Sequence, residues 1–232
     1  MALSARSWLC VLALLGGLAG LTPSAGAANK DAPKLDTRAK KLAYALGIRL
    51  GTNLPLGLSP DELAALAQGM VDRALEHEPR IDLKPLEAEL QEFTRVRASR
   101  AYDREIEASK AFLEQAATGD GVEKKASGLL VQVLEEGKGP SPGPKSRVRV
   151  HYTGVLRNGQ VFDSSVQRGQ PAEFGLDQVV PCWREGLQTM KVGGKSRLYC
   201  PSSIAYGRRG YPPMIHPGAA LVFEVELLEI LD

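Results

Sequence analysis

Residues 150–165, VHYTGVLRNGQVFDSS, hold His151, Tyr152, Asp163, Ser164 and Ser165. These are the side-chain types of serine hydrolases, where a histidine takes the serine proton and an acid orients the imidazole. The spacing argues against that chemistry. Asn158-Gly159 is a strong two-residue hairpin signal. Pairing the chain about it without a bulge sets Gly154 opposite Asp163 and Tyr152 opposite Ser165. Tyr152 and Asp163 then share a face as diagonal neighbours. His151 points the other way, beside Arg149 on the polar face. The His–Asp–Ser association is not expected to assemble, and no G-x-S-x-G elbow occurs elsewhere. A tyrosine hydroxyl bonded to a carboxylate among aromatics reads instead as a pocket wall. Phe162 falls on the opposite face of an ideal hairpin, so either it belongs to the core or the strand bends.

The elements that must position this stretch belong to the second half of the chain. From about Gly128 the segments are short, alternating and divided by Gly and Pro. SRVRVHYTG alternates with period two and predicts a strand. CWREGLQTM predicts one short helix with Trp183, Leu187 and Met190 on one face, stopped at Gly193-Gly194. KSRLYC predicts another strand. AALVFEVELLEIL puts Leu221, Phe223, Val225 and Leu227 on one side and Glu224 and Glu226 on the other, a half-buried antiparallel strand. The fold class is α+β, an antiparallel sheet packed on one short helix.

Residues 28–120 carry a helical period instead. Leu42, Leu46, Leu50 and Leu54 recur every four residues, beside a small-residue stripe of Ala39, Ala43, Gly47 and Gly51. The stripe fits either core packing within one subunit or a close contact with a second copy. A second helix starts at Ser59-Pro60 with a capping box closed by Glu62, and Leu63, Leu66, Met70 and Ala74 form its apolar face. A third, from about Asp82 to Ala117, would span roughly 50 Å. Its charged stretch TRVRASRAYDREIEASK predicts a solvated connecting strut.

Composition bounds the function. The chain has 232 residues, 44% of them hydrophobic and 24% charged, so it can bury a core. A net charge of +2 excludes an obvious nucleic-acid surface or polybasic anchor. Arg6, the apolar run WLCVLALLGGLAGL and the small residues Ala25-Gly26-Ala27 read as a secretory signal over residues 1–27. Export would leave two cysteines, Cys182 and Cys200, either disulfide-bonded or as buried thiols. If bonded, they close a loop of about 17 residues, worth about 3 kcal/mol in the chain-entropy model. His77, His151 and His216 show no zinc spacing with them, and neither a metal nor a cofactor is expected.

Four segments in order, VHYTGVLRNGQVFDSS, VVPCWREGLQTMKVGGKSRL, IAYG and GAALVFEVELLEI, resemble the FKBP-type peptidyl-prolyl cis-trans isomerases over about residues 121–232. The helical half, including KLAYALGIRLG, is similar to the dimerisation module of the macrophage infectivity potentiator (Mip) and FkpA-like subgroup. The resemblance implies a twisted antiparallel sheet wrapped around one short helix, preceded by an all-α domain with a long connecting helix. It implies X-Pro isomerisation without covalent chemistry, in an apolar aromatic pocket, on proline-containing unfolded or exported clients. It also implies inhibition by macrolide FKBP ligands, a homodimer through the N-terminal helices, and an exported protein, in the periplasm or at the outer membrane. A chaperone or peptide-binding module with incidental isomerase activity is the alternative.

By that resemblance Tyr152, Phe162, Asp163, Tyr206 and Phe223 are the catalytic set, with the Tyr206 hydroxyl bonding the ligand. Phe174, Val179, Val180, Trp183, Tyr211, Met214 and Ile215 are the substrate-binding set, with Trp183 as the pocket floor. Cys182 stands where the family commonly has Gly, and Cys200 where it has an aliphatic residue; the paired change fits a disulfide. The loop YGRRGYPPMIHPG departs from the pattern around Tyr211 and Met214.

Overall fold

The structure is a computed structural model that describes residues 33–52, 54 and 57–231. The signal segment lies outside the described residues. The chain forms two compact units, divided between Leu46 and Gly47. The domain boundary read at 120/121 falls inside the second unit.

Three helices come first. In α1 (Arg38–Thr52) the leucines at 42, 46 and 50 are exposed, and a methyl group added at Gly47 or Gly51 would meet no atom within 4 Å. In α2 (Pro60–Ala74) the capping box forms. The Ser59 hydroxyl accepts from the Glu62 N–H at 3.2 Å, and the Glu62 carboxylate accepts from the Ser59 N–H at 2.7 Å. The expected apolar face of α2 does not form a core, since Leu63 and Met70 are exposed. The buried residue is polar: Asp72, held by Gln68 at 2.8 Å and Arg80 at 3.0 Å. The third helix starts later than the charge pattern suggested. Asp82 accepts from the Lys84 N–H at 3.1 Å, a 3-10 turn covers Lys84–Leu86, and α3 runs Glu87–Ala116. The residues after Asp82 first form the tighter 3-10 turn, and the regular α-helical ladder begins only beyond it. At 1.5 Å per residue α3 spans about 45 Å. It is not solvated throughout, because Ser109 is buried.

The sheet carries seven antiparallel strands, β1 (Val122–Lys124), β2 (Leu130–Glu135), β3 (Arg147–Leu156), β4 (Val161–Ser164), β5 (Ala172–Gly175), β6 (Lys195–Cys200) and β7 (Leu221–Ile230). Their order is β1-β2-β6-β7-β3-β4, with β5 also paired to β3. β3 alternates as its sequence does: Val148, Val150, Tyr152 and Leu156 are buried. On β7, Phe223, Val225 and Leu227 are buried, while Glu224 on the other face pairs with Lys195 at 2.5 Å and Arg197 at 3.1 Å. The short helix α4 (Pro181–Gln188) packs Cys182, Trp183 and Leu187 into the same core. Gly186 lets α4 approach β6, since a Cβ there would lie 2.6 Å from Leu198 Cδ1.

The β3–β4 hairpin departs from the ideal in two places that cancel. Its loop has three residues, Arg157 to Gly159, with the Leu156 N–H donating to the Gln160 carbonyl at 2.9 Å. Gly159 takes φ +83° at the end of the turn, where a Cβ would be strained. Val155 then faces Val161, yet Gly154 faces Asp163. The residue between, Phe162, is a β-bulge, which re-aims its side chain. The bend is thus the answer to the face of Phe162.

Cys182 and Cys200 form a disulfide, Cα to Cα 5.8 Å, tying the first turn of α4 to the end of β6. Reduction with dithiothreitol should lower the free energy of urea unfolding by about 3 kcal/mol. An unchanged transition midpoint would show that the two elements hold together without the bond.

Candidate functional site

The strand alternation and α4 bring rings together at one end of the core. Trp183 stands at the centre. Its ring lies 5.1 Å from Tyr152, 5.3 Å from Phe174 and 5.3 Å from Phe223, each at 82–87°. Phe162 meets Phe223 edge-on at 5.6 Å. Edge-to-face pairs of this kind add about 0.5–1.5 kcal/mol each beyond area burial. The indole N–H of Trp183 is buried and meets no hydrogen-bond acceptor among the described residues. The rings line an open cavity of about 330 Å³.

Gly154 makes room for two of them. It faces Phe223 across the β3–β7 ladder and Asp163 across the hairpin. A Cβ at Gly154 would lie 2.6 Å from Phe162 Cζ and 3.0 Å from Phe223 Cε1. The bulge and the glycine therefore act together, one turning Phe162 inward and the other leaving the space it fills.

One rim of the cavity is polar. Tyr152 donates its hydroxyl to Asp163, and Arg168 donates both to Asp163 and, at 3.1 Å, to the Tyr152 oxygen. Burial would raise the Asp163 carboxyl, but the hydrogen bonds from Tyr152 and Arg168 and the Arg168 charge outweigh it, so it sits below its ordinary value. Burial and the bond to Asp163 push the Tyr152 phenol up. At neutral pH the rim is carboxylate, phenol and guanidinium, and none of these is a nucleophile poised for attack. Tyr206 also lines the cavity, half-buried, its phenol raised by burial. No described residue hydrogen-bonds its hydroxyl.

The remaining wall comes from the approach to α4. Val179 and Val180 line the cavity, and Val180 caps the helix with its carbonyl, which accepts from the Trp183 N–H at 2.9 Å. Of the sequence-derived residues, Tyr152, Phe162, Asp163, Phe174, Val179, Val180, Trp183, Tyr206 and Phe223 meet at this cavity. Tyr211, Met214 and Ile215 are not among its lining. Ile215 is buried in the core instead, closing a small loop by exchanging hydrogen bonds with Tyr211 at 2.8 and 2.9 Å. That closure turns Tyr211 and Met214 outward, both exposed, with the Tyr211 ring 5.7 Å from Tyr206.

Two residues at the site escaped the sequence reading. Gln178 lines the cavity from a turn closed by its N–H to the Gly175 carbonyl at 3.0 Å. Arg168 braces the rim; the available signal was a cation five positions beyond Asp163 in a turn-rich stretch. The opening histidine also requires correction. His151 does reach a serine, with Nδ1 3.1 Å from Ser165 Oγ. Ser165 is fully buried, however, and its oxygen accepts from the Tyr152 N–H at 2.8 Å and lies 3.3 Å from the Tyr152 carbonyl. It ties two strands together and is closed to a substrate.

Residues 139–228 match the family model described as FKBP-type peptidyl-prolyl cis-trans isomerase, and residues 39–133 match the model for the domain amino-terminal to it. The chain is 41% identical over 207 residues to the FKBP-type 22 kDa peptidyl-prolyl cis-trans isomerase of Escherichia coli, covering 86% of this chain and 98% of that one. It is 33% identical over 218 residues to the outer membrane protein MIP of Legionella longbeachae, covering 91% and 94%. The crystal structure of FkpA from Escherichia coli superposes with a TM-score of 0.63 at 35% identity, over 85% of this chain and 98% of that one.

Gly154→Ala should lower turnover of a proline tetrapeptide at least about tenfold, because the methyl displaces rings on two strands. Wild-type turnover in this variant would mean that those rings do not shape the working cavity. Turnover should also be flat from about pH 5 to pH 8, since Asp163 is already ionised and Tyr152 still protonated across that range. The sign follows from the lowered carboxyl: whatever Asp163 contributes is present above its unfolded-state value and lost only as pH falls through its folded one. A step in kcat/KM near neutrality that vanishes in Asp163→Asn would contradict this.

Proposed function

Because this chain belongs to the FKBP-type peptidyl-prolyl cis-trans isomerase family, we propose that its X-Pro isomerisation is carried out in the cavity floored by Trp183, on proline-containing exported clients. Amide resonance sets a barrier of about 18–20 kcal/mol to rotation about the peptide bond. The cis and trans forms of an X-Pro bond are close in energy, so the difficulty is the rate. At the twisted state resonance is lost and the amide is less dipolar. A cavity walled by rings solvates that state better than the planar one, which is differential binding of the transition state. Each 1.36 kcal/mol so gained speeds turnover about tenfold.

Each side chain has a part in this. Trp183, Phe174 and Phe223 hold the proline ring, and Phe162 closes the side. Tyr206 donates its hydroxyl to a substrate carbonyl. Asp163, Tyr152 and Arg168 form a rigid charged rim that orients the chain entering the cavity and carries no proton. Val179 and Val180 form the opposite rim. The observation that carries this reading is the combination of a floor of edge-on rings with one hydroxyl, that of Tyr206, to which no described residue hydrogen-bonds.

The same reading extends to assembly and location. The exposed leucines of α1 and the exposed Leu63 and Met70 of α2 suit a second copy of this chain, which would bury them and bring two isomerase cavities onto one client. The leader at 1–27 and a disulfide suit export. Periplasm or outer membrane is the compartment these features fit.

Tyr206→Phe should reduce kcat/KM on a proline tetrapeptide about tenfold, the worth of one hydrogen bond, with no change in melting temperature. A macrolide FKBP ligand should abolish turnover and leave holding of a proline-free client untouched. Retained turnover at saturating macrolide would move the reaction away from this cavity.

A further inference from the structure

The long helix is bonded to a loop that leads to the cavity. Ser109 of α3 is buried, and a serine at a mid-helix position commonly bonds back to its own helix. Here the hydroxyl turns to another segment. It donates to the Gly218 carbonyl at 3.1 Å and accepts from the Ala220 N–H at 2.8 Å, with a Glu105 oxygen 3.4 Å away. Contacts around it reinforce the grip. Gly218 has φ +85°, and the space a Cβ would need there is taken by Ile106 Cγ1 and Tyr102 Cδ2, each at 3.2 Å. The Arg208 guanidinium lies over the Tyr102 ring, 4.1 Å from its centre. Glu105 receives two hydrogen bonds from Arg157 of the β3–β4 loop, at 2.9 and 3.0 Å.

What α3 grips is the base of a loop that carries a cavity wall. The Gly218 N–H donates to the Gly207 carbonyl at 2.9 Å, and Gly207 follows Tyr206 directly. The Gly207 N–H donates to the Ser202 carbonyl at 2.8 Å. Beyond Ala220 begins β7, with Phe223 on the cavity. One hydroxyl therefore anchors the junction from which both Tyr206 and Phe223 depart.

We propose that Ser109 is a positioning residue for isomerisation: through the Gly218–Gly207 pair it fixes the Tyr206 hydroxyl, and α3 is thereby part of the working enzyme. This rests on the reading that Tyr206 holds the substrate carbonyl. A hydroxyl that merely satisfied two buried backbone groups would affect stability and leave the fate of Tyr206 unchanged.

The test is a double-mutant cycle in the full chain, with kcat and KM on a proline tetrapeptide and melting temperature for each variant. Ser109→Ala should cost about tenfold in kcat/KM in the wild-type background, because a small displacement of a positioned group is expensive. Ser109→Thr, which keeps the hydroxyl, should restore turnover to within about threefold. In the Tyr206→Phe background Ser109→Ala should cost less than about twofold, since coupled residues are non-additive. Turnover unaffected by Ser109→Ala, or the same loss in both backgrounds, overturns the proposal. If Ser109→Ala does not fold, Tyr102→Ala loosens Gly218 from the half-exposed side and is judged by the same criteria. Wild-type turnover by Tyr206→Phe alone sinks the Tyr206 reading, and the equal losses that must then appear in the cycle sink the positioning role with it. A silent Ser109→Ala beside an impaired Tyr206→Phe sinks only the positioning role of Ser109.

Discussion

The perpendicular packing of rings on Trp183 is the constraint from which the site follows. Three aromatic neighbours stand edge-on to one indole, donated by β3, β5 and β7. Such pairs set both distance and angle, so the three strands and α4 must hold their places for the set to exist. The same set is core on one side and cavity floor on the other. Filling the cavity with a larger side chain would disturb the core, and trimming the core would open the floor. A buried indole N–H without an acceptor oxygen or nitrogen carries a desolvation cost of about 1–3 kcal/mol. Hydrophobic packing around it offsets that cost, and the result is an apolar, ring-lined cavity floor.

Much of this was legible where period-two alternation met a buried face. β3 and β7 each present one apolar and one polar side in sequence, and their inward residues are the buried ones. The short helix was legible from Trp183 and Leu187, but not its end: it stops at Gln188, before the Gly193-Gly194 pair expected to stop it. Phe162 was not assignable, because alternation cannot see a bulge. The expected two-residue turn and the missing bulge were opposite errors of one residue each, so Gly154 still met Asp163. The helical half shows the reverse limit. Caps are local chemistry, and Ser59 with Glu62 behaved as their spacing said. Burial is not local: the leucines of α1 at 42, 46 and 50 lie exposed, as do Leu63 and Met70 of α2.

The loop from Tyr206 to Pro217 was the least readable part. It has neither period, so the reach of Tyr211, Met214 and Ile215 rested on resemblance alone. Its path is decided by contacts far away in sequence. Glycines at 207, 210 and 218 adopt positive φ, and the loop ends are joined by one backbone hydrogen bond. Nothing in the composition of the loop announces that its base meets a serine from another element. Arg168 was hidden for a related reason, since an exposed arginine in a turn usually means only solvation.

The position of β7 in the sheet bears on the order in which the fold can close. This strand is made after all its sheet partners, yet it lies between β6 and β3. Until Leu221–Ile230 has been threaded between them, β3 with its hairpin and β6 with β2 are two open fragments that share no ladder. A chain lacking that one segment has no continuous sheet, and non-local pairing of this kind forms slowly. The topology thus reserves completion of the sheet for the last strand to be made.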